Sequence, residues 1–150
     1  MSQVGRVGVE EARLPESIRR RASVTPGGEY AWRKDDVEKV LVLARDAGLG
    51  CVGGQIQFQT SHGICEAYWV SYDSRERMSG EPWPEFVSRS IAEVIAGFRK
   101  ICTDTDFRSV AREFDALRGP IDSGRYDPVA DLWFVLYFME ETELSPTRPT

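Results

Sequence analysis

Apolar residues recur at helical spacing between positions 34 and 47. They stand at i, i+3, i+4 and i+7 and are Val37, Val40, Leu41 and Ala44. Asp35 and Asp36 lie in the first turn, where the helix dipole favours anions, and Gly48 follows the last turn as a stop. The pattern predicts an amphipathic helix that packs one stripe against a core.

Alternating polar and apolar positions follow this helix and predict a β-hairpin. In the first strand, residues 49–59, the apolar Ile56 and Phe58 alternate with glutamines at positions 55, 57 and 59. One side of the strand is therefore expected to be buried and the other wet. Gly53 and Gly54 inside this strand indicate a bulge or a close approach of another backbone.

The return strand, residues 64–72, follows a turn at residues 61–63, and its alternation allows two orientations. One turns Cys65, Ala67 and Trp69 to the core, and the other turns Ile64, Tyr68, Val70 and Tyr72. We favour the first, because the second would bury Glu66 without an evident partner. It leaves a polar, aromatic face open to solvent, made of Gln55, Gln57, Gln59, Glu66, Tyr68 and Tyr72.

The second half of the chain predicts two more helices and a strand. Residues 83–101 carry an apolar stripe with Pro84 near the start, and residues 105–117 carry another that ends at Gly119 and Pro120. A loop at residues 122–128 precedes eight consecutive apolar residues, 132–139, which are typical of a central strand. The order is α-β-β-α-α-β. It predicts an α+β fold with a small, mostly antiparallel sheet and helices mainly on one face.

The length of 150 residues fits one domain, which we place at residues 29–144. Residues 1–28 are expected to form a partly flexible arm outside the core, with one or two helical turns within residues 14–22. Residues 145–150 are expected to be a flexible tail. The formal net charge is −5, and the arm has five arginines against three glutamates. The rest of the chain is therefore strongly acidic, which disfavours nucleic acid and favours a basic protein as partner.

Several classes of site can be excluded from residue types. The longest apolar run, residues 132–139, is too short to span a bilayer, and the three cysteines form no CxxC pair. These features predict a cytoplasmic protein with reduced thiols and no membrane partner. His62 is the only histidine and lies in the hairpin turn, where a solvated side chain is expected. No glycine-rich phosphate loop is present.

Acidic clusters occur at three places, but each has a structural explanation. Asp35–Asp36 and Asp104/Asp106 lie at predicted helix starts, and the third cluster, Glu140, Glu141 and Glu143, follows the last strand. No nucleophile, base and orienting group occur together. We therefore expect no catalytic residue, no cofactor and no metal.

Four tryptophans lie at element boundaries or in strands, and most of them, Trp69 and Trp83 included, are expected in the core. Trp32, at the entry to the first helix, has two possible roles. It fits either a core position or an anchor for a partner, since tryptophan dominates interface hot spots.

Several of these pieces together resemble a family of bacterial immunity proteins, the small α+β antidotes encoded beside polymorphic toxins. They are Trp32-Arg33-Lys34-Asp35-Asp36, Val52-Gly53-Gly54-Gln55, Trp69, Trp83-x-x-Phe86-Val87-x-x-Ser90 and the aromatic last strand. The similarity covers residues 29–101, and beyond them only the last strand. Gln55 departs from it, because the family more often has an acidic residue there.

The resemblance implies tight binding to one cognate toxin, whose active site or an exosite would be covered. We expect a basic toxin, with a nuclease as the first guess, and expect it to contact Gln55, Gln57, Glu66, Tyr68, Tyr72 and Asp73. Two other hypotheses stay open. One is a regulatory module that binds a small molecule or peptide on the same face, and the other is an enzyme whose carboxylates act with a cofactor.

Overall fold

The computed structural model describes residues 14–25, 29–61 and 63–141. In these ranges the chain forms one antiparallel sheet of five strands in the order β1-β2-β5-β3-β4. The strands are β1 (Ser23–Val24), β2 (Tyr30–Trp32), β3 (Gly50–Thr60), β4 (Gly63–Ser71) and β5 (Leu132–Met139). The predicted hairpin is β3–β4, and the apolar last strand takes the predicted central position.

Within the described ranges five α-helices accompany the sheet, mainly on one face, so the predicted α+β class is confirmed. They are α1 (Glu16–Arg19), α2 (Lys34–Asp46), α3 (Trp83–Asp104), α4 (Phe107–Ala111) and α5 (Asp115–Asp122), and a 3-10 helix at Pro128–Asp131 leads into β5. The stripes of α2 and α3 pack against alternate residues of β3 and β5. This helix face of the sheet carries Ile56, Phe58, Phe134 and Leu136, all of them buried.

The single helix predicted over residues 105–117 is wrong, because two short helices occupy that region. Their apolar spacing fits one continuous helix, but the chain turns after α4, and Phe114 becomes the residue that precedes α5. Its ring then lies 6.2 Å from that of Phe58, in the core. Gly119 and Pro120 lie inside α5 and do not end it.

The prediction of an arm outside the core is wrong for residues 14–25. Ile18 is fully buried, Leu14 is nearly so, and the indole N–H of Trp32 donates to the Ile18 carbonyl at 3.0 Å. Trp32 is therefore a core residue, which decides between its two possible roles. Residues 1–13, 26–28, 62 and 142–150 lie outside the described residues, and with them the predicted tail and His62.

The two adjacent glycines of β3 confirm the predicted bulge and the close backbone approach. The pairing of β3 with β5 shifts register between Cys51 and Gly53. A Cβ on Gly54 would overlap the carbonyl oxygen of Val135. The two strands can therefore lie this close only because position 54 has no side chain.

A second irregularity lies in β4, where three residues are inserted. Ile56 of β3 pairs with Ala67, but the neighbouring Gln55 pairs with Ser71. The insertion, Tyr68–Val70, is called the β4 bulge below. Because of it, the alternation of β4 changes phase, so that both predicted orientations hold for part of the strand. Cys65 and Ala67 face the helices before the bulge, and Tyr72 faces them after it.

Candidate functional site

The three glutamines of β3 lie on the face of the sheet opposite α2 and α3, here called the open face. Their placement on one face was predicted, but their exposure was not correctly predicted: Gln55 is 3% and Gln57 0% exposed. The sheet is coiled so that β1 approaches β3 across this face. The Ser23 hydroxyl donates to Oε1 of Gln59 at 2.9 Å, although two strands separate β1 from β3. The open face is therefore concave.

Gln57 lies at the centre of a hydrogen-bond network on this face. Its side-chain nitrogen donates to Oε1 of Glu29 at 3.4 Å and to Oε2 of Glu66 at 3.3 Å. Its side-chain oxygen accepts a bond of 2.8 Å from Gln59. Both amide hydrogens of Gln57 are thus used to hold two half-buried carboxylates near each other on the open face. Glu29 comes from the segment before β2, and Glu66 comes from β4.

Tyr137 of β5 extends the network toward the middle of the sheet. Its hydroxyl donates to Oε2 of Glu29 at 2.7 Å and accepts from the Gln55 amide at 3.2 Å. Gln55 is therefore connected to Glu29 through Tyr137. A buried polar side chain whose hydrogen bonds are satisfied holds its neighbours in place. Gln55 therefore positions the carboxylate of Glu29 through Tyr137, and it is itself buried and not exposed to a partner.

A pocket of about 440 Å³ opens beside these carboxylates. Its lining residues are Thr25, Glu29, Gln57, Gly63, Ile64, Glu66 and Tyr68. Thr25 and Glu29 form one wall, and there the Glu29 backbone N–H donates to the Thr25 hydroxyl at 3.1 Å. The β3–β4 hairpin forms the other. Among the residues that the structure describes, the pocket lining supplies two carboxylates and no lysine, arginine or histidine.

Tyr68 forms the rim of the pocket and is 54% exposed. Its hydroxyl bonds to the Glu66 carboxylate, and this bond, with the negative charge of Glu66, raises the pKa of Tyr68 above its usual value. Burial and the charge of Glu29 add smaller effects in the same direction. Tyr68 therefore stays neutral at physiological pH and keeps a donor on Glu66.

The structure brings together three of the six predicted contact residues, Gln57, Glu66 and Tyr68, and joins Gln55 to them through the network. Tyr72 is not part of this face, since it is 2% exposed and packs against Gly97 of α3 on the helix face. Its hydroxyl lies 2.8 Å from the Val135 carbonyl oxygen, and burial raises its pKa well above the usual range. Tyr72 faces the helices because the β4 bulge changes the phase of the alternation along β4.

Asp73 is exposed but lies away from the pocket. Its carboxylate is beside Gly53, which is at the end of β3 opposite to the hairpin turn. The loop that follows is fastened to α3, because Glu81 of the loop bonds Arg89 of the helix at 2.7 Å and Arg75 of the loop bonds Glu93 at 2.9 Å. Asp73 therefore contributes a separate surface charge.

Glu29, Thr25 and Tyr137 belong to the site but were not predicted from the sequence. Two signals could have found them. The segment Thr25-Pro26-Gly27-Gly28 between short apolar runs is typical of a tight hairpin, which would place Thr25 and Glu29 at its ends. Alternation along β5 puts Tyr137 on the face opposite Phe134 and Phe138.

Trp69 was predicted in the core, and this is wrong, because it is 53% exposed. One side of its ring lies over Phe114 at a centroid distance of 5.7 Å, and the remainder is free of the core. The β4 bulge thus presents two neighbouring aromatic residues: Tyr68 at the pocket rim and Trp69 at the edge of the sheet. Trp83, in contrast, is buried as predicted.

The described members of the predicted acidic clusters do not line the pocket, and Glu143 lies outside the described residues. Asp106 accepts bonds from the backbone N–H groups of Arg108 and Ser109 and so caps α4, as expected for a structural role. Within the ranges that the structure describes, no three metal-binding side chains of the His, Cys, Asp and Glu types come together. The pocket residues include two carboxylates, one amide and two hydroxyls, which suit the binding of a donor-rich cation.

Comparison of the chain with protein-family models, with curated proteins and with solved structures returned no match. Of the helices in the described ranges, none combines the length and the apolarity needed to cross a bilayer.

Proposed function

We propose that this protein is an immunity protein that neutralises a cognate secreted bacterial toxin by direct, high-affinity binding, covering the toxin's active site or an exosite. The observation that carries the proposal is the acidic pocket on the concave open face, with the exposed Tyr68 of the β4 bulge at its rim. The resemblance of residues 29–101 to immunity proteins supports the same function.

The charge of the molecule supports a basic partner, for which a nuclease toxin is our first guess. The formal net charge is −5, and Glu29 and Glu66 lie at the surface that we assign to the contact. Opposite charges accelerate encounter, which matters for an antidote that must capture its toxin before damage occurs. Aromatic contacts such as those of Tyr68 and Trp69 then slow dissociation.

The proposal places the protein in the cytoplasm of the toxin-producing cell, with no cofactor and no catalytic step. Its three cysteines are free thiols, as a reducing compartment would keep them. Burial raises the pKa of Cys65, so its thiol stays protonated at neutral pH and is a poor nucleophile.

Co-purification tests the proposal. The first step is to establish whether a gene for a large secreted protein with a variable C-terminal domain directly precedes the gene of this chain, and the partner to use is that C-terminal domain. We expect an untagged copy of this protein to elute with the tagged toxin domain as a 1:1 complex that withstands gel filtration. Elution of the two proteins apart at micromolar concentration would contradict the proposal.

The pocket also favours a second candidate, a regulatory module that binds a small molecule or peptide. Its volume of about 440 Å³ lies in the range of about 300–1,000 Å³ usual for ligand sites. A thermal-shift screen with metabolites distinguishes the two candidates, because a ligand that binds the folded state raises the melting temperature by mass action. A saturable increase with one metabolite, and no toxin complex, would favour the module.

A further inference from the structure

We infer that the outer edge of β4 is a docking site for an extended segment of the partner protein, which adds a strand to the sheet there and places a basic residue beside Glu66. This inference rests on the proposed function for the identity of the partner. The features of β4 that support it separately are its outer backbone groups, its exposed side chains and its charge.

Among the strands that the structure describes, β4 lies at one edge of the sheet. It is nine residues long, whereas β1, at the other edge, has two. An exposed edge strand is a template for further strands, and monomeric proteins usually prevent such pairing with lysine, proline or a very short strand. β4 contains no lysine, arginine or proline. The β4 bulge interrupts its second half, but residues 63–67 pair with β3 in regular register and leave a straight edge.

The backbone groups of Ile64 and Glu66 point away from the sheet. The N–H of Tyr72 donates to the Gly54 carbonyl at 3.1 Å, so the even-numbered residues of β3 direct their backbone groups to β4. These groups alternate in direction along an antiparallel strand, so the odd-numbered residues direct theirs to β5. Ile64 and Glu66 lie opposite odd-numbered residues and therefore turn their N–H and C=O groups outward. An added strand bonds to groups of this kind.

Large exposed side chains lie on both faces of this edge. On the open face, Ile64 and Tyr68 are 38% and 54% exposed, with Glu66 between them. On the helix face, Trp69 is 53% exposed and lies over Phe114. The side chains of a strand alternate between the two faces of a sheet, so an added strand would cover both groups. A ligand confined to the pocket would leave Trp69 wet.

The charge of the edge favours a basic strand. Glu66 is the only charged residue of β4. A lysine or arginine opposite Glu66 would form a cross-strand pair of opposite charge, which stabilises paired strands. A second copy of this chain is disfavoured as the occupant, because each copy has a net charge of −5 and like charges oppose association. On the helix face, Trp69 favours an apolar residue, so the added strand should alternate basic and apolar positions.

A short peptide tests the edge without any toxin. The ¹⁵N-labelled protein is titrated with a capped peptide in which lysine and valine alternate, and the backbone amide signals of Ile64 and Glu66 are followed by NMR. We expect saturable shifts with a dissociation constant in the millimolar range, because a short free strand loses its conformational freedom on binding. The same peptide methylated at every backbone nitrogen keeps its side chains and charge but cannot donate to the edge, and it should leave these signals unchanged. A peptide with glutamate in place of lysine should bind more weakly.

Two variants at position 64 test the direction of the backbone groups. Ile64→Pro removes an N–H that the sheet does not use, so the protein should fold, but an added strand loses a hydrogen bond. We expect it to bind the lysine peptide and the toxin domain roughly tenfold more weakly. Ile64→Thr keeps the N–H and a β-branched side chain and should bind both nearly as well as the parent protein. Thermal unfolding shows whether each variant is folded, and the two peptides test the parent protein even if Ile64→Pro is not.

The inference is overturned if the methylated and unmethylated peptides act alike, if the shifts lie away from β4, or if folded Ile64→Pro binds as well as Ile64→Thr. Shifts of the same signals on dilution of the free protein would assign the edge to a second copy and would also overturn it. These outcomes are separate from failure of the proposed function. A toxin complex that tolerates Ile64→Pro would refute only the docking mode. Peptide binding in a protein that captures no toxin would refute the proposed function and would leave a peptide-binding edge.

Discussion

The hydroxyl of Ser23 and the side-chain oxygen of Gln59 lie 2.9 Å apart across two intervening strands. Strands in a sheet are about 4.8 Å apart, so in a flat sheet β1 and β3 would be separated by about 14 Å. Two short side chains close that gap only because the sheet is coiled. The coiling makes Gln57, a residue of a central strand, part of the floor of a pocket, and it brings Glu29 to the same place as Glu66.

Replacement of Gln57 should show that it holds the pocket carboxylates together. Gln57→Leu removes the hydrogen bonds that Gln57 makes with Glu29, Glu66 and Gln59, and we expect the free energy of unfolding to fall by about 1–3 kcal/mol. Urea titration followed by circular dichroism measures this change. An unchanged midpoint would mean that the network contributes nothing to stability.

Gln57→Glu gives the same position a pH dependence. The new carboxyl would be buried beside two others, which raises its folded-state pKa above the ordinary value of about 4.3. A group with a raised pKa contributes its stability below the unfolded pKa and loses it as the pH rises. The variant should therefore lose more stability, relative to the parent protein, at pH 7 than at pH 4, and an equal loss at both would be contrary to this account.

Two glycines allow a matched test of close packing. Gly54→Ala would force a Cβ into the Val135 carbonyl, and we expect a loss of more than about 4 kcal/mol or failure to fold. Gly119 lies inside α5 with no atom near its Cβ position, so Gly119→Ala should raise stability by up to about 1 kcal/mol. Thermal unfolding of both variants measures these changes: the melting temperature should fall for Gly54→Ala and rise for Gly119→Ala. Tolerance of alanine at position 54 would contradict the described contact of β3 with β5.

The ion pair between Arg89 and Glu81 should make stability sensitive to acid. Its hydrogen bond holds the pKa of Glu81 at about 2, below the usual 4.5. A lowered pKa contributes stability above the unfolded value and loses it as the pH falls through the folded value. The urea midpoint should therefore drop between pH 4.5 and pH 2, and by less in Glu81→Gln.

The control for this prediction is Glu76→Gln in the same loop, since the side chain of Glu76 is exposed. We expect that variant to follow the acid profile of the parent protein. If Glu81→Gln also follows it unchanged, the loop is not held to α3 by this pair.

Trp69 should matter more for binding than for folding. More than half of its surface is free, and the ring contact with Phe114 accounts for only about 0.5–1.5 kcal/mol. Trp69→Ala should thus leave a folded protein that binds the toxin domain at least about tenfold more weakly, as the loss of a hot-spot residue does. Calorimetry measures the affinity, and Met78→Ala, which removes a side chain of similar exposure, should leave it unchanged.

Much of the fold was predictable from periodicity. The stripe of α2 at Val37 to Ala44 and the apolar run of β5 identified both elements, because each pattern extends over several turns or pairs. Strands β1 and β2 have two and three residues and show no period. The break before α5 follows from the place that Phe114 takes beside Phe58, which no local pattern contains.

The site was predictable in part for the same reason. Alternation placed Gln57 and Glu66 on one face correctly, because pairing in register fixes which side each residue faces. It could not foresee the three-residue β4 bulge, which sends Tyr72 to the opposite face. It also could not foresee the coiling of the sheet, since that depends on contacts such as Ser23 with Gln59 between segments far apart in the chain.

Rescue of bacterial growth tests the immunity function most directly. A host that expresses the toxin domain should die alone, survive when this protein is produced with it, and lose part of that protection when Glu29→Gln and Glu66→Gln are combined. Asp73→Asn should protect like the parent protein. Death of the host despite folded, abundant parent protein would contradict the account.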